Sequence, residues 1–297
     1  MKSVNLKFAL TKKAILGLGL AALVFFAGCN NDDVDPPVSE IDDATIEAEA
    51  IAQSDFEEID DITTNIMGIA EGSSGGRIAN VEDDRCKCAE ITHDKENHTI
   101  TIDFGDGCEG PNGIVRSGII FITYQGHRFV PGSYWTVTFR EYFVNRRHIE
   151  GLRTVTNISE SLDVNPTFHI TLEDGKVTWP DETFATRQVD RIRVWVRATN
   201  PLLDEFHILS GSVTSGMNRR GVAYKTEVLT DLIYKRNCRN DRRVRIPVQG
   251  TKQVVKRDRN CVIDYGDGEC DTIIVITCGD RTKTIDMANR DSIQSTD

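Results

Sequence analysis

The sequence has little of the short motifs that identify the commonest hydrolases. The serine pattern Gly-x-Ser-x-Gly occurs only at 72–76, in a Gly/Ser-rich stretch that follows a predicted helix instead of joining a strand to a helix; there is no His-Glu-x-x-His pair for a zinc protease, and the six histidines are dispersed. We therefore predict neither a serine nucleophile elbow nor a zinc protease site. A glycan hydrolase stays open, because its two acidic side chains lie roughly 5–10 Å apart in space and follow no sequence spacing.

The sequence also lacks an excess of positive charge. It carries 35 Lys and Arg against 46 Asp and Glu, which gives a net charge of -11. Nucleic-acid binding depends on clustered Lys and Arg that neutralise phosphates. We therefore expect no nucleic-acid partner.

A third absence is an apolar run long enough to cross a bilayer as a helix. The run over 14–26 covers 13 apolar and glycine residues, whereas a spanning helix needs about 20. Four lysines and no acidic residue precede this run, and two small residues and Cys29 follow it. This is the anatomy of a secretory signal peptide, which we assign to residues 1–28.

The end of this leader, Phe26-Ala27-Gly28-Cys29, resembles the lipobox of bacterial lipoproteins. The resemblance implies cleavage before Cys29, a diacylglycerol on its thiol and a fatty acyl chain on its new amino group. Two or three chains anchor a protein stably, whereas a single chain binds only marginally. The lipobox pattern prefers Leu where Phe26 stands, and Bacteroidota lipoproteins often carry that substitution.

Negative charge is concentrated just after Cys29. Residues 29–80 contain 14 Asp and Glu and one Arg, whereas residues 81–297 contain 32 acidic and 30 basic residues. We interpret residues 29–38 as an extended acidic tether. Its acidic patch resembles the export signal that sends Bacteroidota lipoproteins to the outer face of the outer membrane. The alternative is a generic polar tether on a lipoprotein that faces the periplasm.

One amphipathic helix is predicted over residues 39–71. Isoleucine and alanine recur along it at steps of three, four or their sums, while the polar face is crowded with carboxylates. A Gly/Ser-rich linker over 72–80 follows. We favour packing of the apolar stripe on the body over pairing with a second helix. On this interpretation the acidity belongs to a stalk that carries a nearly neutral body.

From about residue 88 the apolar pattern changes to period two, which indicates half-buried antiparallel strands. The residues predicted to face the core are Trp135, Val137, Phe139, Phe168, Ile170, Leu172, Ile192, Val194 and Val196. The predicted fold is mainly β. An antiparallel meander over 81–288 forms a β-sandwich or a curved half-barrel sheet, preceded by the helix and followed by a polar tail over 289–297.

Arg191, Arg193, Trp195 and Arg197 alternate with the last of these apolar residues and are predicted to share a solvent-facing strand surface. A Trp within an arginine ladder could stack on a sugar ring or hold an anionic group, which makes these four residues the candidate ligand contacts. The alternative is an ordinary solvated face whose arginines are neutralised by cross-strand partners.

The motif Asp-aromatic-Gly-Asp-Gly occurs at 103–107 and again at 264–268. Closely spaced carboxylates suit calcium, so the weak metal candidates are Asp103, Asp106, Asp264 and Asp267. Each copy offers two carboxylates, whereas a calcium loop usually needs more oxygen donors. We therefore favour a tight turn in which the glycines supply positive φ, and we predict no cofactor. The motif also resembles a turn of PKD-type β-sandwich modules.

Seven cysteines follow Cys29, and an exported chain can oxidise them. Spacing leaves the connectivity open. The plausible local pairs are Cys86 or Cys88 with Cys108, Cys238 with Cys261, and Cys270 with Cys278. One thiol stays over. A zinc site is disfavoured, because the first two cysteines lack the spacing of a zinc knuckle and no histidine pair follows them.

The leader, the acidic tether and the β-rich body together resemble uncharacterised Bacteroidota lipoproteins, a resemblance that implies no activity. We expect an outer-membrane lipoprotein, anchored through Cys29, that binds a glycan, a peptide or another envelope component without catalysis. The alternatives are an envelope hydrolase acting on glycans through a carboxylate pair, and a periplasm-facing carrier whose curved sheet shelters an apolar ligand.

Overall fold

The structure, a computed structural model, describes residues 43–72, 76–78, 83–239, 246–256 and 259–287. The predicted leader, Cys29, the tether and the polar tail lie outside these residues. One long helix, α1, runs from Asp43 to Glu71. The strands, β1 to β16 in chain order, are Gly76–Ile78, Glu90–Asp94, Thr99–Asp103, Cys108–Glu109, Val115–Gln125, Tyr134–Val144, Arg147–Asn157, Thr167–Thr178, Phe184–Val196, Glu205–Ile208, Val213–Met217, Ala223–Lys235, Gln249–Lys256, Arg259–Asp267, Ile273–Cys278 and Arg281–Asp286.

All sixteen strands belong to one antiparallel sheet, which confirms the prediction of a mainly β meander. Neighbours in the sheet are neighbours in sequence almost throughout. The short strand β4 pairs with β5, and β11 pairs with both β9 and β12 next to β10. Such a topology needs only hairpin connections between long strands. The strands thus form a single hydrogen-bonded sheet.

A bulge between β5 and β6 shows how closely the strands approach. Gly118 has φ +79°, and a Cβ built on it would lie 1.8 Å from the carbonyl oxygen of Glu141. The strand register shifts between Ser117 and Ile119 at this point. Only glycine fits, because the backbone is left-handed and has no room for a side chain.

Helix α1 lies against the sheet and shares its core. Phe56, Ile59, Ile62 and Ile66 are at most 2% exposed and belong to the same apolar cluster as strand residues such as Val137. The apolar stripe thus packs on the body, which is the favoured of the two predicted arrangements. Within the described residues, no helix is both long and apolar enough to cross a membrane.

The helix does not form an acidic stalk. The described residues make up one compact unit that includes α1. Asp55, Glu57, Asp60 and Asp61 are at most 6% exposed, so the carboxylates of the polar face are buried as well. The stalk interpretation of this part of the acidity is therefore wrong. The physical reason is that arginines of the sheet form ion pairs with Asp55, Glu57 and Asp60.

Candidate functional site

The arginine ladder of β9 faces the inside of the sheet. Arg191, Arg193 and Trp195 are 7%, 3% and 8% exposed. Only Arg197, just past the end of the strand, is exposed to solvent. The prediction of a solvent-facing ladder is therefore wrong for three of its four residues.

The same reversal applies to the aliphatic residues of β9. Ile192, Val194 and Val196 were expected in the core from the pattern, but they lie partly exposed on the outer face. Alternation with period two identifies two faces but does not say which one is buried. Here the buried carboxylates of α1 select the arginine face, because a buried charge needs an opposite charge beside it. The core predictions for β6 and β8 are confirmed at Trp135, Phe168 and the other residues of those two segments, apart from Phe139, which is partly buried and packs against the core.

Asp60 is the centre of a buried ion cluster. Its carboxylate accepts hydrogen bonds from Nε and Nη2 of Arg153, and it lies 2.8 Å from Nη2 of Arg191 and 3.2 Å from Nη1 of Arg193. Arg191 also pairs with Glu57. Burial alone would raise the pKa of Asp60, but the arginines outweigh burial and hold that pKa below its ordinary value.

Two further carboxylates of α1 pair with β5 and β7. Arg147 donates to Asp55 from Nε at 3.0 Å and from Nη2 at 2.8 Å, which is the bidentate geometry that favours arginine over lysine. Nη2 of Arg116 lies 2.6 Å from Oε1 of Glu58. The helix is thus held from both halves of the sheet by side chains.

One face of α1 makes none of the arginine contacts to β7 and β9 described above. It lines a cleft of about 1090 Å³. Ser54, Glu58, Asp61, Asn65 and Gly68 line it and recur every three or four residues, so they form one stripe along the helix. The stripe lies opposite the apolar face. The rest of the lining comes from parts of the sheet and from its loops.

The acidic residues of the lining, which we call the acidic wall, are Glu58, Asp61, Asp83 and Asp84, and Arg85 lies among them. Arg85 donates to Asp83 from Nε at 2.8 Å, and Asn65 donates to the same carboxylate at 3.0 Å. Burial would raise the pKa of Asp83, but the hydrogen bonds and charge of Arg85, helped by Asn65, hold that pKa well below its ordinary value.

Three other arginines that line the cleft, Arg128, Arg197 and Arg236, form what we call the basic corner. The guanidinium carbons of Arg128 and Arg197 lie 4.5 and 5.9 Å from the centre of the Phe129 ring. Arg128 is 3.4 Å from Glu71. Burial lowers the pKa of Arg128; the charge of Glu71 opposes this shift and the charge of Arg236 adds to it.

The partners of the other two arginines are weaker. Arg236 lies 3.7 Å from Asp204, whose carboxylate also accepts from the Trp195 indole at 2.9 Å. Arg197 donates to the backbone oxygen of Val164 at 3.2 Å. Within the described part of the chain, Arg197 has no carboxylate partner. The basic corner therefore keeps an excess of positive charge in contact with solvent.

Trp195 lines the cleft but does not offer an open ring face. Its ring centre lies 5.3 Å from that of Phe129 and 5.2 Å from that of Phe206, and its indole nitrogen is already bonded to Asp204. Sugar stacking needs a flat and accessible aromatic face. The structure therefore brings Trp195 and Arg197 to one site without making them a sugar platform.

The duplicated motif behaves as backbone structure. In the first copy Asp103 accepts from the backbone N–H of Gly105, whose φ is +60°, in the turn after β3. In the second copy Asp264 accepts from the N–H of Gly266 at φ +90°, but this copy lies within β14. The expected turn is thus found at 103–107, whereas 264–268 is part of a strand. No group of three metal-binding side chains occurs among the described residues, Asp106 and Asp267 included.

Three disulfides join the cysteines of the body, and one predicted pairing is found. Cys88 bonds Cys108, which resolves the predicted choice, and Cys86 is the remaining thiol, buried and unpaired. The other two bonds are Cys238–Cys270 and Cys261–Cys278. The predicted pairs of Cys238 with Cys261 and of Cys270 with Cys278 are therefore wrong. Cys261 and Cys278 face each other directly in the register of β14 and β15, a tertiary relation that spacing does not reveal.

Most residues of the cleft were not predicted from sequence. The polar stripe from Ser54 to Gly68 has helical spacing and carried a usable signal, because it interrupts the carboxylates with small and amide side chains. The loops that bring Arg128 and Arg236 to the cleft carried none. Comparisons with family models, curated proteins and solved structures find no match to this chain.

Proposed function

We propose that this chain is a lipid-anchored protein of the cell envelope that binds a ligand in the cleft along α1 and performs no catalysis on it. The observation that carries the proposal is the cleft itself. Its side chains are held by Asn65, Arg85 and Asp204 before any ligand arrives. A site whose side chains are already fixed loses little freedom when it binds.

Binding is better supported than glycan hydrolysis. A glycosidase needs one carboxylic acid whose pKa is raised, so that it can protonate the leaving oxygen. In the acidic wall Arg85 has the opposite effect on Asp83, since it lowers the pKa of that carboxyl. Asp83 is thereby suited to electrostatic recognition rather than to proton donation.

Carriage of an apolar ligand is also less well supported. A carrier needs apolar space against the sheet, and in the described residues α1 packs there. The side chains that line the helix and the inner sheet surface include Asp60, Arg153 and Arg191, which are charged and paired. An apolar ligand in their place would leave those charges without partners.

The address rests on the sequence. The basic leader, the apolar run and the lipobox that ends in Cys29 favour anchoring in the outer membrane, and the acidic tether favours the cell surface over the periplasmic face. The three disulfides fit an oxidising compartment outside the cytoplasm.

Two measurements test the proposal. Labelled palmitate should enter the wild-type protein but not Cys29→Ser, and only the wild type should pellet with membranes. A photo-crosslinking amino acid placed at Leu202, in the cleft, should capture a discrete envelope component in living cells. The same group at Arg146, on the turn between β6 and β7, should not. Equal capture from both positions would remove the support for the cleft as a binding site.

A further inference from the structure

Exposed aliphatic side chains lie on the loops that carry Arg128 and Arg197 and on the loop between them, and one of these side chains, that of Leu202, lines the cleft. We call them the apolar rim: Val130, Ile158, Leu162, Val164, Leu202 and Leu203, which are 40–64% exposed. They belong to the loops that connect β5 to β6, β7 to β8 and β9 to β10. In an antiparallel meander these three connections lie at the same end of the sheet.

Hydrogen bonds hold the three loops against one another. Asn157 donates to the backbone oxygen of Arg128 at 2.9 Å, and Arg197 reaches the backbone oxygen of Val164 at 3.2 Å. The rim is therefore one surface and not six scattered residues. A contiguous exposed apolar patch on the order of several hundred Å² is a mark of contact sites.

The basic corner lies directly inside this rim. Arg197 is exposed, stacks on Phe129 and has no carboxylate partner in the part of the chain that the structure describes. Arg128 and Arg236 lie close together, so the charge of Arg236 adds to the effect of burial, which lowers the pKa of Arg128. An incoming carboxylate would relieve this like-charge repulsion and would accept charge-assisted hydrogen bonds.

We propose that the basic corner and the apolar rim bind an acidic, aliphatic segment of an extended polypeptide. The inference rests on the proposed binding function and names its ligand class. Aliphatic side chains of the segment pack on Leu202 and Leu203, while a carboxylate meets Arg197. An acidic glycan offers the same carboxylate, but it would need the open aromatic face that Trp195 lacks.

The test uses the mature full-length chain with Cys29→Ser and fluorescence anisotropy of labelled probes. The first probe is an octapeptide of alternating Leu and Asp, the second replaces Asp by Asn, the third replaces Leu by Ser, and the fourth is oligogalacturonate. We expect the Leu-Asp peptide to bind, and the Asn and Ser peptides to bind about tenfold or more weakly. Binding of the Asn peptide equal to that of the Leu-Asp peptide would overturn the role of the basic corner.

Variants separate the site from general charge effects. Arg197→Gln should weaken the Leu-Asp peptide about tenfold, Arg197→Lys should restore part of the affinity, and Leu202→Ser should weaken it several-fold. Arg146→Gln, which removes one exposed arginine at the opposite end of the sheet, should change nothing. Tighter binding of oligogalacturonate, or no saturable binding of any peptide, would overturn the inference. Cross-linking at Leu202 would still support the proposed function in either case.

Discussion

Asp60 of α1 and Arg153 of β7, 93 residues apart in sequence, form a two-pronged ion pair in which each side chain is 1% exposed. Arg191 and Arg193 approach the same carboxylate from β9. The sheet therefore holds its central helix by charge as well as by apolar contact. A buried charge that loses its partner is far more costly than the pair is favourable.

Replacing Asp60 by Asn should destabilise the fold strongly. The amide keeps the shape of the side chain but leaves three buried arginines without their common anion, so we expect a loss of about 3–5 kcal/mol in the free energy of unfolding. Urea unfolding followed by tryptophan fluorescence measures it. Asp84→Asn is the matched control, because Asp84 is exposed and its pair with Lys87 is worth roughly 0–1 kcal/mol. Similar losses in both variants would contradict the central role of Asp60.

Stability should fall as the pH is lowered. Burial raises and arginine contacts lower the pKa values of Glu57, Asp60 and Asp83, and the net effect places each pKa below its ordinary value, 4.5 for Glu and 3.8 for Asp. A carboxyl whose pKa is lower in the folded state stabilises that state above the unfolded pKa and loses the contribution as pH falls toward the folded pKa. Each group then adds a slope of up to about 1.4 kcal/mol per pH unit.

The measurement for this prediction is the urea midpoint between pH 7 and pH 3. We expect little change down to about pH 5 and a steep decrease below it. Asp83→Asn should flatten the decrease, since one of the groups that bind protons on unfolding is gone. A stability that is constant from pH 5 to pH 3 would mean that these carboxylates do not differ between the two states.

The sequence was sufficient to predict the element types and the order of the fold. The change from helical to two-residue periodicity near residue 88 reflects how side chains point from a helix and from a strand, which is a local property. The periodicity could not predict which face of β9 is buried. An apolar environment would bury the face of Ile192, whereas an ionic environment buries the face of Arg191. That environment comes from α1, more than 130 residues away.

The site was harder to predict for a related reason. Arg128, Arg197 and Arg236 meet because three loops fall at one end of the sheet, and loop positions depend on strand register rather than on local composition. Of the four predicted ligand contacts on β9 and just after it, only Trp195 and Arg197 line the cleft. The edge-to-face contact of Trp195 with Phe129 and its tilted contact with Phe206 arise from the packing of three separate segments.

The absence of a side chain at Gly68 should be what allows the Arg128 guanidinium to pack against α1. A Cβ at position 68 would lie 2.2 Å from Nη1 of Arg128, which donates to the backbone oxygen of Thr64. Gly68→Ala gains about 1 kcal/mol of helix propensity but displaces the guanidinium. In an Arg128→Ala background we therefore expect Gly68→Ala to stabilise the protein by about 1 kcal/mol, and in the wild type to be neutral or destabilising. Thermal or urea unfolding of the four proteins gives the coupling energy, and strict additivity would show that the two residues do not interact.

Cys86 should be the one cysteine of the Cys29→Ser protein that iodoacetamide modifies without reductant, and only after unfolding. Burial raises the pKa of the Cys86 thiol to about 12, so iodoacetamide at pH 8 should not modify the native Cys29→Ser protein. In denaturant without reductant we expect one alkylated cysteine, Cys86, since the other six are oxidised.

Mass spectrometry of unreduced peptides should link Cys88 with Cys108 and Cys261 with Cys278. Each of the three bonds closes a loop of 17 to 32 residues and stabilises the fold by about 3 kcal/mol, so reduction should lower the unfolding midpoint sharply. Peptides that link Cys238 to Cys261 would contradict the pairing of β14 with β15 at this position.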